Sequence, residues 1–242
     1  MQLVRDVQDL LAESPDVSGI IDLTPFRTFP EMAGALFASL TRNAAIGQTV
    51  TSAYGAEKTL VETTCYDIAE TARRNFEPGG PPATLLFSRG VHAVMAHRVA
   101  HKLWTDGNLN LALAIKAACG RTFGTDMHPA ARIGAGLWLD HGLGFVVGET
   151  SVIEEDVSIW HNVTLGSTLN DDGPFRHPHV GRGAVIGAGA ILLGGIKIGA
   201  GANIGAGAIV IGDVPDRGLV VGQKAQNRGT ARISFTKPEH TS

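Results

Sequence analysis

Branched apolar residues return at every sixth position in the second half of the chain. From Val180 the frame continues through Ile186, Leu192, Ile198 and Ile204, with mainly Gly and Ala at the positions between them. This period matches neither the 3.6-residue repeat of a helix nor the two-residue alternation of an ordinary strand. It indicates short flat strands joined by tight turns, in which the apolar residue points inward and three hexads form one triangular turn. The pattern therefore predicts a parallel β-helix.

The same repeat runs upstream to about residue 127 and is interrupted twice. The step after Leu139 is eight residues instead of six, so two extra residues follow His141. The step after Leu165 is fifteen residues, so about nine extra residues, 168–176, leave the coil as a loop. Insertions in a solenoid lie on one surface and often build its binding face. The two interruptions are therefore the places to look for function.

The residues before the coil follow helical spacing. Two short amphipathic segments are followed by a third at 56–74, and the Pro- and Gly-rich stretch 77–82 then predicts a break. A long helix is expected from Thr84 or Arg89 to Trp104, and one more from Leu109 to Cys119. The predicted fold class is α+β, with an N-terminal helical domain at 1–121, a hexapeptide-repeat β-helix at 122–216 and a C-terminal tail at 217–242.

The amino-acid composition limits the classes of binding partner and the cellular compartment that are expected for this chain. The chain has 20 Lys and Arg against 23 Asp and Glu in 242 residues, so neither nucleic acid nor an acidic membrane surface is expected as a main partner. Its two cysteines form no CxxC pair, and no secretory signal precedes them, which predicts a cytoplasmic protein. The sequence contains no run of 18 apolar residues, so no membrane-spanning helix is predicted.

Two residues near the first interruption are candidates for acid–base chemistry. His141 is the candidate general base, because imidazole titrates near neutral pH and its glycine-rich flanks leave room for a ligand at the backbone. The alternative is a surface histidine on a corner of the coil. A histidine base needs an orienting carboxylate. Asp126 precedes His141 by fifteen residues, which is close to one turn of the coil, so it is the candidate for this carboxylate. An equal alternative is that Asp126 only caps the backbone at the entry to the coil.

Arg176 and His177 end the second interruption. A guanidinium binds a carboxylate through two parallel hydrogen bonds, which makes Arg176 a candidate for binding an acidic substrate. A solvated loop stem is the open alternative. No metal site is expected, because zinc needs three or four converging ligands and the histidines of the coil do not recur at one position on successive turns.

Several segments of the coil, taken in order, carry a family resemblance. They are Asp126-Met-His-Pro-Ala-Ala-Arg-Ile-Gly134, Leu139-Asp-His141, Gly148-Glu-Thr-Ser-Val-Ile153, Val157-Ser-Ile159, Val163-Thr-Leu-Gly166, Arg176-His-Pro178 and Ile186-Gly-Ala-Gly189. Together with Gly90-Val-His-Ala in the helical part, they resemble the serine O-acetyltransferases of the hexapeptide-repeat acyltransferase superfamily. The resemblance covers about residues 85–225.

The resemblance implies a fold, a reaction and an assembly. The β-helix is expected to be left-handed, and acetyl-CoA is expected as the co-substrate that acetylates the hydroxyl of L-serine, giving O-acetylserine and CoA in a ternary complex. A homotrimer or a dimer of trimers is expected, with the acyl-CoA bound between neighbouring coils.

The resemblance also implies roles for single residues. His141 matches the base that takes the hydroxyl proton, Asp126 the residue that orients it, and Asp140 the residue that holds the substrate amino group. The positions that match carboxylate-binding residues are Arg176 and His177, and those that match contacts to the CoA arm are Thr168, Ala188 and Ala206.

The chain departs from the family pattern near the substrate. The family has Asp-His-Ala-Thr-Gly where this chain has Asp140-His-Gly-Leu-Gly144, and the loop after Gly166 is one residue longer. The family also brings an aspartate from the helical domain to the substrate. Here that segment reads Asn75-Phe-Glu-Pro78, so Glu77 is the candidate substitute.

These departures leave alternatives open. The acceptor can be another hydroxy-amino acid in specialised metabolism, or another small molecule such as a sugar with a free hydroxyl. The chain can also be a non-catalytic regulatory relative. Asp140 and Arg176 argue against a neutral sugar. Family members that dock into cysteine synthase end in isoleucine, whereas this chain ends in Ser242, which makes that docking doubtful.

Overall fold

An α-helical part precedes a parallel β-helix in the computed structural model, which describes residues 1–168, 173–227 and 229. The helices are α1 Gln2–Glu13, α2 Pro15–Ile20, α3 Phe29–Thr41, α4 Ala44–Ala56, α5 Lys58–Asn75, α6 Gly80–Phe87, α7 Arg89–Thr105 and α8 Leu109–Phe123. None of the helices in these residues combines the length and apolar character needed to span a bilayer.

Helix α4 is absent from the sequence prediction, although its buried residues Ile46, Val50 and Tyr54 follow helical spacing. Close contacts between small residues also hold it against α3. A Cβ added at Gly34 of α3 would lie 2.7 Å from the carbonyl oxygen of Gly47 in α4. The two backbones therefore approach closely, and this contact needs glycine on both sides. At its start, α4 is capped by Asn43, whose side-chain oxygen accepts from the amide of Ala45 at 3.0 Å.

The predicted break at 77–82 is shorter than expected. Helix α6 already begins at Gly80 and carries two prolines in its first turn. Proline is tolerated there because the first amides of a helix have no intrahelical acceptor. Helix α8 likewise continues beyond the predicted end at Cys119, to Phe123, and then ends on Gly124 at a φ of 76°.

The coil consists of strands of two or three residues in three parallel sheets. The strands are β1 Asp126–Met127, β2 Arg132–Ile133, β3 Trp138–Leu139, β4 Val146–Val147, β5 Val152–Ile153, β6 Ser158–Ile159, β7 Thr164–Gly166, β8 His179–Val180, β9 Val185–Ile186, β10 Ile191–Leu193, β11 Lys197–Ile198, β12 Asn203–Ile204, β13 Ile209–Val210 and β14 Leu219–Val220. Sheet A has the order β1-β4-β7-β10-β13, sheet B β2-β5-β8-β11 and sheet C β3-β6-β9-β12-β14. The chain visits A, B and C in turn, which confirms the predicted triangular coil.

Strand registers confirm both interruptions. Asp126 pairs with Val146, whereas three hexads would bring it opposite Gly144, so the first turn carries the extra pair of residues. Val152 pairs with His179, so the whole long loop lies within one turn. The last turn is shorter than three hexads, because Asn203 pairs with Leu219 and not with Val221. Strand β14 therefore lies in the segment that the sequence assigns to the tail.

The hexad residues form the core of the coil. Except for Ile133, which is partly buried, each is at most 5% exposed, and the buried set is Met127, Leu139, Val147, Ile153, Ile159, Leu165, Val180, Ile186, Leu192, Ile198, Ile204 and Val210. Burial of such side chains is worth about 1.5–3 kcal/mol each. Burial of the apolar hexad residues therefore stabilises the stacking of one turn on the next, as the sequence predicts.

A buried ion pair joins the helical part to the first turn of the coil. Asp67 of α5 and Arg98 of α7 are 2% and 7% exposed and are bound to each other. The arginine also donates to the carbonyl oxygen of Gly134 at 2.9 Å, and Asp67 accepts from the amide of Gly136 at 2.8 Å. Burial raises the pKa of Asp67, and the nearby guanidinium of Arg98 opposes that rise. Both helices are thereby held against the turn that contains His141.

Candidate active site

His141 lies at the corner between sheets C and A, on the loop that the two extra residues create. Its φ of 61° is in the left-handed region, and Gly142 and Gly144 beside it also have positive φ. Asp156 and Asn162 adopt the same conformation in the next turn, so it is the backbone geometry of a tight corner of the coil. Nε2 of the imidazole lies 3.3 Å from Oδ2 of Asp140, and the histidine side chain is 68% exposed. The corner therefore presents the imidazole to solvent next to a carboxylate.

A cavity of about 400 Å³ opens in front of this histidine. Its walls come from the 75–89 segment of the helical part and from the corner loop of the coil. It is lined by Asn75, Glu77, Ala83, Phe87, Ser88, Arg89, Asp140, His141 and Leu143. Three of the residues expected at the site, namely Glu77, Asp140 and His141, thus share one cavity. The cavity is thus the feature that places the segment around Glu77 beside the histidine.

Asp126 forms its ion pair with a lysine rather than with His141 among the described residues. It lies on β1, its side chain is 61% exposed, and it forms an ion pair with Lys116 of α8. Its strand partner is Val146, because the insertion makes this turn longer than the spacing argument assumed. Among the described residues, the carboxylate that lies within 4 Å of the imidazole of His141 belongs to Asp140.

His161 is a further member of this corner that sequence reasoning did not place in the site. Its ring meets the ring of His141 edge-on, with centroids 5.6 Å apart, one turn further along the coil. Its Nδ1 is buried and has no hydrogen-bond partner among the described residues. The only sequence signal for it was its position at the same corner of the next turn.

Small residues continue this corner below the two histidines. The amide of Gly189 donates to the carbonyl oxygen of His161 at 3.0 Å, and the amide of Gly207 donates to that of Ala188 at 2.9 Å. A Cβ added at Gly189 or Gly207 would meet nothing within 4 Å. Ala188 and Ala206 therefore lie on an open ledge that begins at His141 and leaves room for an extended ligand.

Arg176, His177 and Thr168 lie at a different corner, between sheets A and B. Arg176 forms an ion pair with Glu149 and holds the pKa of that carboxyl below its usual value. The amide of His177 donates to Oγ1 of Thr150 at 3.1 Å. A Cβ at Gly194 would lie 3.5 Å from Cγ2 of Thr168. The predicted site residues are thus divided between two corners of one chain.

The histidines do not form a metal site in the part of the chain that the structure describes. No group of three His, Cys, Asp or Glu side chains there could hold an ion. The rings of His97 and His101 on α7 stack with centroids 5.8 Å apart. Residues 169–172 of the long loop lie outside the described residues.

Comparison with known proteins identifies the family. The chain is 42% identical to serine acetyltransferase 5 of Arabidopsis thaliana over 219 residues, a match that covers 81% of this chain and 70% of that relative. The chain belongs to the serine acetyltransferase family. No protein-family model matches it. It is 51% identical to serine acetyltransferase 2 of the same plant over 144 residues, which are 60% of this chain and 44% of that relative. The chain therefore spans less than half the length of this second relative.

Solved serine acetyltransferases share the fold. The Brucella abortus enzyme in complex with coenzyme A matches with a TM-score of 0.82 at 32% identity, over 96% of this chain and 95% of that chain. The Neisseria gonorrhoeae enzyme in complex with serine matches with a TM-score of 0.81 at 33% identity, over 93% of this chain and 95% of that chain. The likeness covers both the helical part and the coil, and so agrees with the expected fold class.

Proposed function

We propose that this protein transfers the acetyl group of acetyl-CoA to the hydroxyl of L-serine, giving O-acetylserine and CoA. The observation that carries the proposal is the cavity in which His141 lies together with Glu77 and Asp140. Two carboxylates match a substrate ammonium group, and an exposed imidazole beside them matches a neighbouring hydroxyl. The relatives that were solved with serine and with coenzyme A support these two substrates.

His141 acts as the general base in this proposal. It takes the hydroxyl proton as the serine oxygen attacks the thioester carbonyl carbon; the new C–O bond forms, the C–S bond breaks, and the proton passes to the departing thiolate. Transfer is direct. Cys65 and Cys119 lie in α5 and α8, and burial raises the pKa of their thiols to about 11 and about 12, which disfavours a thiolate that could carry an acetyl group.

Either of two carboxylates can orient the base. The resemblance assigns this role to Asp126, whereas the 3.3 Å contact in the chain favours Asp140. Turnover of Asp126→Asn and Asp140→Asn separates them. Loss of an orienting carboxylate costs orders of magnitude in kcat, whereas loss of an ammonium-binding carboxylate raises mainly the KM for serine. If Asp126→Asn keeps its kcat, the role assigned by resemblance is wrong.

The CoA arm is proposed to lie along the ledge below His141. Ala188 and Ala206 lie on that ledge, and their small side chains leave the backbone accessible. Thr168 lies at the other corner and is proposed to contact CoA that is bound to a neighbouring copy. Ala206→Trp is expected to raise the KM for acetyl-CoA and to leave the KM for serine unchanged; an unchanged KM for acetyl-CoA would exclude the ledge.

A second copy of the chain is proposed to complete the site. Arg176 and His177 cannot reach the cavity of their own chain, because they lie at the corner between sheets A and B. In a homotrimer, or a dimer of trimers, the same corner of the neighbouring copy can face His141 and bind the serine carboxylate. Mixed oligomers of His141→Ala and Arg176→Gln subunits should then regain activity, at roughly a quarter of the interfaces. No recovery after mixing would show that each site uses one chain only.

The deciding assay is the release of CoA thiol by the purified chain with L-serine, D-serine, homoserine and threonine. L-Serine should be the best acceptor, and His141→Ala should lower turnover about a hundredfold or more. The matched control is His179→Ala, which removes a histidine of sheet B that pairs with Glu154 at 2.8 Å, outside the cavity. If another acceptor works and L-serine does not, the enzyme serves a different hydroxy-amino acid; no release with any acceptor favours a regulatory relative.

A further inference from the structure

His161 lies between the catalytic base and the ledge that is proposed for the CoA arm. The corner between sheets C and A presents one residue in each turn, in the order His141, His161, Ala188 and Ala206. Successive turns are about 4.8 Å apart, because their strands pair in parallel. An acyl-CoA that lies along Ala188 and Ala206 therefore has to carry its thioester past His161 to reach His141.

The backbone fixes the distance between the two histidines. The amide of Asn162 donates to the carbonyl oxygen of Leu143 at 2.7 Å. A Cβ added at Gly144 would collide with Oδ1 of Asn162, so the loop of His141 and the corner of His161 pack on each other without a gap. Their rings meet edge-on with centroids 5.6 Å apart. His161 is thus held next to the base before any substrate binds.

The burial of one ring nitrogen indicates which nitrogen of His161 carries the proton. Nδ1 is buried and has no hydrogen-bond partner among the described residues, whereas the residue as a whole is only partly buried. A buried N–H without an acceptor is rarer in proteins than an acceptor without a donor. The favoured form of the ring is therefore neutral, with its proton on Nε2, and this N–H is the hydrogen-bond donor that the side chain can offer to a ligand.

We infer that His161 donates this hydrogen bond to the carbonyl oxygen of the acetyl thioester. When the acceptor oxygen attacks, an electron pair of the C=O bond moves onto the carbonyl oxygen, and a donor placed there in advance stabilises that charge. The pair returns as the C–S bond breaks, so His161 keeps its proton throughout. The side chains of Ala188 and Ala206 offer no donor along the ledge. This inference rests on the proposed function, and it adds a catalytic residue that the sequence analysis did not identify.

Turnover of His161→Leu and His161→Gln tests this role. Loss of a donor to a developing oxyanion should lower kcat about a hundredfold or more. The KM for acetyl-CoA and the KM for L-serine should change less than about threefold, because the hydrogen bond strengthens mainly in the transition state. The matched control is His179→Leu, which makes the same exchange on sheet B, outside the cavity, and should turn over as the wild type does. If His161→Leu keeps kcat within about threefold of the wild type, the inference is wrong.

The glutamine variant distinguishes a donor from a second base. Glutamine offers an N–H but cannot relay a proton, so His161→Gln should keep kcat within about tenfold of the wild type. A His161→Gln variant as slow as His161→Leu would contradict the donor role. Solid-state NMR of the protein with labelled histidine measures the tautomer directly, and the signal that disappears in His161→Gln identifies the residue. A proton on Nδ1 alone would leave Nε2 without a donor and would also contradict the inference.

The carbonyl stretch of bound acetyl-CoA separates this inference from the proposed reaction. A hydrogen bond lowers that frequency, so infrared difference spectra with a carbonyl-labelled acetyl group, recorded without acceptor, should show a downshift in the wild type and in His161→Gln. The downshift should be lost in His161→Leu. Equal frequencies in the wild type and His161→Leu would overturn only the role of His161. A wild type that shows this downshift but acetylates no acceptor would overturn the transfer and retain the hydrogen bond. A wild type that neither binds acetyl-CoA nor transfers its acetyl group would overturn both.

Discussion

Replacing Gly90 with alanine tests whether helix α7 sets the position of the catalytic corner. The added Cβ would lie 1.8 Å from the carbonyl oxygen of Leu139 and 2.9 Å from its carbonyl carbon. Non-bonded contacts below 3.0 Å are not tolerated by Cβ atoms, so the helix and the coil must separate by at least about 1.2 Å. Both partners are backbone atoms, and no side-chain rotation can relieve the clash.

The displacement acts on the residues that follow Leu139. Asp140 and His141 are the next two residues, so they move relative to the wall of the cavity that the helical part supplies. A misplacement of about 1 Å costs about a hundredfold in rate, and overpacking of this kind costs about 1–3 kcal/mol of stability. We therefore expect Gly90→Ala to fold at a lower Tm and to lose about a hundredfold in kcat/KM for L-serine.

The measurement is CoA thiol release together with thermal unfolding of the same preparation. Gly55→Ala is the matched control, because Gly55 lies in α4 and an added Cβ there meets nothing within 4 Å. It should keep full activity and an equal or higher Tm, since alanine favours a helix over glycine. A Gly90→Ala variant that is folded and retains more than about a third of the wild-type kcat/KM would refute the reasoning.

Three further properties can be measured without substrate. Asp67→Ala leaves a buried guanidinium unpaired and should cost about 3–5 kcal/mol in urea unfolding, against less than about 0.5 kcal/mol for Glu62→Ala, which breaks an exposed pair; equal losses would contradict the buried-clamp interpretation. Burial lowers the pKa of His97 to about 3. Below pH ~6.5 His97 is therefore protonated in the unfolded chain, whereas in the folded chain it stays neutral down to about pH 3. The contribution of His97 to stability is therefore complete above that range and decreases by about 1.4 kcal/mol per pH unit as the pH falls; His97→Leu should remove this slope, and an unaltered slope would contradict the assignment. Cys65 and Cys119, with pKa values raised to about 11 and about 12, should react with a disulfide reagent at pH 8 about a hundredfold more slowly in the folded protein than after denaturation; equal rates would show that the thiols are not protected by burial.

Much of the coil could be read from the sequence, because its periodicity and its packing have the same cause. Each turn closes only if its apolar residues face inward, so an extra residue has to leave the wall. The two-residue insertion after His141 and the nine-residue insertion before His177 accordingly appear in the strand registers. The short last turn was missed, since Val214 bridges to Ile198 at a position where the hexad frame has already ended, and three full hexads would have reached Asp216 instead.

The sequence predicts the helices of the N-terminal part less completely than the strands of the coil. Helix α4 contacts α3 through Gly34 and Gly47, and small and polar residues surround its few large apolar positions, Ile46, Val50 and Tyr54, so the apolar pattern is weak. The start of α6 was obscured by its two prolines, which usually mark a break and here occupy the first turn of a helix.

The sequence by itself determined the repeat, the two interruptions and the residue types available for acyl transfer, because all of these depend on spacing along the chain. Only the tertiary structure decided which of those residues meet. It put Glu77 and Arg89 of the helical part at the cavity of His141, and it paired Asp126 with Lys116 and Arg176 with Glu149. The physical reason is that the distance between two corners of a coil depends on the length of each turn, and the contact between helix and coil depends on a close backbone approach that leaves no mark in the hydrophobic pattern.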